Sequence, residues 1–141
     1  MRLLGHPVHP MLVHLPIALW SLATLCDALT LAGLGSAWPI GWLCLAGGSA
    51  AAIPAMIAGL IDFGAVKEEA LPTASRHMTL MGSAWLTYMT ALVLRSDGLA
   101  AEAAPDRMAM AVGLAGFALL AAGAWHGGQL VYRIGVGVHD R

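Results

Sequence analysis

Four apolar runs, each near the length of a membrane-crossing helix, limit what this chain can become. They cover about Met11–Gly33, Pro39–Ile61, His77–Leu94 and Met108–Tyr132. A helix needs about 20 residues to cross the hydrocarbon core. Backbone polar groups cannot stay unpaired in lipid, so the runs are read as helices. None alternates polar and apolar residues, which argues against a membrane β-barrel. Composition agrees: 59% of the 141 residues are hydrophobic and 11% charged, with a mean hydropathy of +0.76. A soluble domain carries about 25% charge. One domain over residues 1–141 is expected: an all-α, four-helix transmembrane bundle, up-down-up-down, with both termini on one side. The first run is too long for a signal-peptide core of about 7–15 residues and is read as a retained span.

The connections set the topology. Leu34–Trp38 is short and uncharged, so the first two helices form a tight hairpin, with Pro39 in the first turn of the second. The N-terminus, the second connection and the tail hold Arg2, Lys67, Arg76, Arg133 and Arg141; the opposite side holds Arg95 and Arg107. This bias favours cytoplasmic termini in a bacterial inner membrane. Gly47, Ala51, Ala55 and Gly59 form a small-residue stripe, matched by Gly123 and Gly127, and such stripes let helices approach closely. Pro16 and Pro54 fall within helices and should kink them. No longer internal repeat stands out. Cys26 and Cys44 lie in apolar runs without CxxC spacing and read as buried thiols. The net charge is −1 with no basic block, which gives no footprint for nucleic acid. The lipid bilayer is the expected partner, and self-association into a homo-oligomer is left open.

The candidate chemistry lies in histidines. Gly5-His6-Pro7-Val8-His9-Pro10-Met11-Leu12-Val13-His14-Leu15-Pro16 holds three of the six histidines and three of the seven prolines. His77 opens the third helix, His126 lies near the end of the fourth, and Asp62 closes the second. Each can be an interfacial anchor, yet ionisable groups at membrane depth cost a few kcal/mol to insert and are functional candidates by default. Asp27 and Asp62 have a structural alternative, pairing with arginine. Trp20, Trp38, Trp42, Trp85 and Trp125 read as interface or packing residues.

Three uses of the histidines follow. Haem b needs an imidazole on each side of its iron; His14 and His77 are the expected ligands, Arg76 and Arg133 the propionate partners, and Asp62 an acceptor for a ligand's second N–H. A Cu or Zn ion held by His6, His9 and His14 is the alternative. The third is a proton-sensitive gate or a non-catalytic docking surface. No Ser/His/Asp set, phosphate loop or HExxH supports a hydrolase or NTPase, so a carrier or binding subunit is expected rather than a stand-alone enzyme.

The opening segment from Gly5 to Leu19 resembles the signature of a bacterial family of four-helix membrane proteins, domain of unknown function 2231. Asp27, Gly59-Leu60-Ile61-Asp62, His77 and the closing Trp125-His126-Gly127-Gly128-Gln129-Leu130-Val131-Tyr132-Arg133-Ile134-Gly135-Val136-Gly137-Val138 match it as well. The resemblance implies a four-span membrane domain without an established activity. Relatives joined to Rieske-type iron–sulfur domains, and a similarity to small membrane b-type cytochromes, imply electron transfer with an iron–sulfur protein as redox partner. Two positions depart from the family pattern: Ile134 stands where histidine is frequent, and His126 where an apolar residue is usual. The resemblance therefore favours His14 with His77 over His126.

Overall fold

The computed structural model describes residues 2–3, 6–102 and 104–138. The His6 side chain, His139 and Arg141 lie outside what it describes. A two-residue strand pair, β1 (Arg2–Leu3) with β2 (His6–Pro7), leads into α1 (Val8–Leu12) and α2 (His14–Leu31). The helix is interrupted at Val13, one turn before Pro16. Pro16 has no N–H to offer the carbonyl four residues earlier, so the expected distortion sits there. α2 ends where Gly33 takes φ +99°, a conformation that suits glycine. The Gly33 and Leu34 N–H groups then turn back to the Thr30 and Leu29 carbonyls at 3.0 and 2.9 Å.

α3 (Ala37–Phe63) continues through Pro54. After a short 3₁₀ turn at Glu68–Ala70, α4 runs over Leu71–Leu94 with Pro72 in its first turn. Strands β3 (Ser96–Asp97) and β4 (Ala100–Ala101) pair across a turn with Gly98 at φ +62°. α5 (Arg107–Tyr132) starts on the Asp106 side chain, which accepts the Met108 N–H at 2.7 Å. That cap satisfies one of the free N–H groups of the first turn.

Three helical stretches are long and apolar enough to cross a membrane: Val8–Leu31, Ala37–Phe63 and Arg107–Tyr132. α4 is long enough but more polar, since it carries Thr73, Ser75, Arg76, His77 and later threonines. Two of its hydroxyls are satisfied inside the helix: Thr87 donates to the Ser83 carbonyl at 2.8 Å and Thr90 to that of Leu86 at 3.0 Å. All four long helices turn large apolar side chains outward, among them Leu25, Leu43, Leu86 and Leu114. That is the pattern of a chain whose solvent is lipid.

α2 lies antiparallel on α3, and α4 antiparallel on α5. The first pairing runs from His9 beside Gly59, through Trp20 on Gly48, to Cys26 on Gly41. The second runs from His77 beside Gly127, through Met81 on Gly123, to Tyr88 on Gly116. The glycines admit rings and sulfur where a methyl group would stand within 2.6–3.1 Å of them. The seam on α3 differs from the expected stripe. Gly41, Cys44, Leu45, Gly48, Ala52, Ala55 and Ala58 are buried, whereas Gly47 is exposed and meets only Leu19. Spacings of three and four track one helix face, and strict spacing of four drifts off it.

The two hairpins repeat each other. His9 and His77, Trp20 and Tyr88, and Asp27 and Arg95 are each 68 positions apart, and each pair meets in space. Trp20 stacks on Tyr88 with centroids 4.7 Å apart and planes at 19°. Around this stack Ala23, Cys44, Leu45, Ala52, Ala84, Ala91 and Leu120 complete the core. Few residues aligned at this offset are identical, so the equivalence is geometric.

Candidate functional site: a pair of carbonyl-anchored histidines

α1 and the first turns of α4 bring His9 and His77 to the same end of the molecule. Both rings are part-buried. His9 Nδ1 lies 2.8 Å from the Ala55 carbonyl oxygen on α3, and His77 Nδ1 lies 2.8 Å from the Gly123 carbonyl oxygen on α5. A carbonyl oxygen only accepts, so each Nδ1 carries the hydrogen and donates it. In the neutral ring this leaves Nε2 as a lone pair. A metal-binding histidine is commonly held in this way.

Room for the rings comes from two glycines, each four residues beyond the accepting carbonyl. A methyl group on Gly59 would come within 2.9 Å of the His9 ring, and one on Gly127 within 3.0 Å of the His77 ring. The ring centroids stand 6.3 Å apart with planes at 79°. His126, one residue before Gly127, is partly buried, and its Nδ1 is buried without a hydrogen-bond partner.

The pair that meets is therefore His9 with His77, whereas depth in the apolar runs and the family resemblance favour His14 with His77. His14 is exposed at the start of α2. Five residues separate it from His9, which turns a helix about 140° away from that face. The metal set of His6, His9 and His14 includes a side chain outside the described residues; among the described residues no three His, Cys, Asp or Glu side chains form a group that could hold an ion. Asp62 is partly buried near the end of α3, and Arg76 and Arg133 are exposed at the histidine end. The signal for His9 was present in the sequence as the offset of 68 that also links Asp27 to Arg95.

The far end holds the other polar centre. Arg95 Nη1 and Nη2 donate to Asp27 Oδ1 and Oδ2 at 3.0 and 2.9 Å, with both side chains buried. The guanidinium also lies 4.5 Å from the centre of the Trp38 ring. Trp38 Nε1 donates to the Glu102 carbonyl at 2.9 Å, and the Glu102 N–H to the Arg95 carbonyl at 2.8 Å. This end is a closed clamp: its charges face each other. At the histidine end each neutral ring keeps an Nε2 lone pair.

A family model described as predicted membrane protein, DUF2231, matches residues 5–140. The chain belongs to this family. The family gives membrane residence and no activity. None of the curated proteins and none of the solved structures compared with the chain matches it, so the likeness to b-type cytochromes gains no named relative.

Proposed function

We propose that this membrane protein is a small electron-transfer protein or subunit that holds the iron of one haem b between His9 and His77. The observation that carries the reading is the facing pair of imidazoles with both Nδ1–H groups tied to carbonyls. Two imidazoles that each bind one metal from opposite sides at about 2.0–2.1 Å have ring centres about 6 Å apart. The 6.3 Å between the two ring centres is compatible with that arrangement. The carbonyls of Ala55 and Gly123 would fix each ring and raise its basicity as a ligand. Arg76 and Arg133, exposed at this end, are the cations available to propionates. When bound, the group would supply a one-electron iron couple; the protein's part is to hold, orient and tune it.

The same reading takes all four long helices as spans, since α4 is 24 residues long, Thr87 and Thr90 bond within the helix, and Leu86 and Val93 face outward in its second half. It places both termini in the cytoplasm of a bacterial cell. Arg2, Lys67, Arg76, Arg133 and Arg141 on the side of the termini, against Arg95 and Arg107 on the other, support that orientation. An iron–sulfur protein is the class of redox partner proposed.

The test is a reduced-minus-oxidised spectrum of the protein purified after haem supplementation. A b-type α band is expected in the wild type. It should be lost in His9→Ala and in His77→Ala and kept in His14→Ala. A colourless wild-type protein, or a band indifferent to His9, would end the proposal. Metal content measured on the same samples would then decide whether an ion occupies the pair.

A further inference from the structure

Polar chemistry is divided unevenly along the axis of the bundle. The described histidine side chains, His9, His14, His77 and His126, lie at one end, and the segments 15–76 and 78–125 contain no histidine. Burial changes along the same line. His9 and His77 are part-buried. Trp20 and Tyr88, next along the axis, are buried and stacked face to face. Asp27 and Arg95, beyond them, are buried and hold each other. From His77 to Arg95 is 18 residues, about 27 Å along a helix. From Gly127, which receives the His77 ring, to the end of α5 at Tyr132 is five residues, about 8 Å.

We propose that the His9–His77 site is served from the histidine end alone, and that electrons both reach it and leave it there. The electron part rests on the haem reading; the one-ended access does not. Tunnelling falls off exponentially with distance, so exchange through the nearer end outruns exchange through the farther one. A stepwise route along Trp20, Tyr88 and Trp38 would require an indole, a phenol or a buried thiol to give up one electron. That takes potentials far above those of an iron held by two imidazoles. A conduit across the bilayer would need a relay near the far end, where a carboxylate, a guanidinium and the Trp38 ring are packed together. The reductant and the oxidant are therefore both partners of one face. One electron enters from the first and leaves to the second, and no net charge crosses the membrane.

The test uses haem-supplemented full-length protein, with a cleavable tag after its C-terminus, in sealed phospholipid vesicles. External protease gives the fraction whose histidine end faces outward, since the tag follows α5. External dithionite, which does not cross the bilayer, should quickly reduce that same fraction of the haem, and the remainder only after detergent. Reduction of the whole population, or of the complementary fraction, overturns the proposal. A second readout needs no haem. In haem-free vesicles, His9→Cys should react with a charged, impermeant methanethiosulfonate in the tag-outward fraction alone, over a wild-type background held low by the burial of Cys26 and Cys44. Labelling of the complementary fraction, of both or of neither overturns one-ended access. A colourless wild type with one-ended labelling sinks the haem reading and keeps the access. A haem band reduced from both faces sinks only this inference.

Discussion

Asp27 and Arg95 occupy the same position in the two hairpins, 68 residues apart, and close on each other as a buried two-pronged ion pair. A near-symmetric architecture brings equivalent positions together on its axis. Two equal charges there would repel, whereas an acid in one hairpin and a base in the other join them. Trp20 with Tyr88, and His9 with His77, are further pairs of the same kind. The axis therefore carries an ion pair at one end, an aromatic stack in the middle and two imidazoles at the other.

Breaking the ion pair from one side leaves a buried charge without a partner, which costs about 3–5 kcal/mol. Asp27→Ala and Arg95→Ala should each lower the thermal midpoint strongly in detergent. The exchanged double variant Asp27→Arg with Arg95→Asp should lie closer to wild type than either single change. Trp38 and Gly113 stand on particular sides of the pair, so recovery should be incomplete. A double variant no better than the worse single one would show that the pair is not interchangeable across the axis.

The glycines under the imidazoles make a second prediction. Gly59→Ala and Gly127→Ala each press a methyl group into a ring held between two helices. Overpacking of this kind costs about 1–3 kcal/mol. The ring must leave its carbonyl, so any haem band should weaken with stability. Gly47→Ala is the control: it sits in the stripe the sequence suggests, but meets only Leu19 at 3.4 Å. It should be close to neutral or slightly stabilising. Equal losses at Gly47 and Gly59 would show that the seam follows the spacing of four after all.

Helix positions were legible in the sequence because lipid sets both length and composition: three of the four apolar runs reappear as helices apolar enough to span, with ends within a few residues. The Asp27–arginine alternative and Pro39 in a first turn were readable from charge and backbone chemistry. The identity of the histidine pair was not. His14 lies deeper in its apolar run than His9, and depth was the only cue that the runs provided. Which ring turns inward depends on the interruption at Val13 and on the room that Gly59 leaves, and the second is a property of another helix. Offsets between paired residues carry that information, and they become visible once the hairpins are superposed.

The aromatic stack at the centre of the axis supports the last prediction. Trp20 is 2% exposed, rests on Gly48, stacks on Tyr88, and its Nε1 reaches Ser49 Oγ at a long 3.4 Å. Removing the ring in Trp20→Ala leaves a cavity between the two hairpins and costs about 3–5 kcal/mol. Trp20→Phe keeps an aromatic face on Tyr88 and gives up a weak hydrogen bond and part of the volume, so it should lose well under half as much. Tyr88→Ala opens the same cavity from the other hairpin. Because the two rings share one contact, the double variant Trp20→Ala with Tyr88→Ala should cost less than the sum of the singles, by about 0.5–3 kcal/mol of coupling. Thermal or denaturant unfolding of the four proteins in one detergent measures this. Strict additivity would mean that the hairpins are joined through their ends and not through this stack.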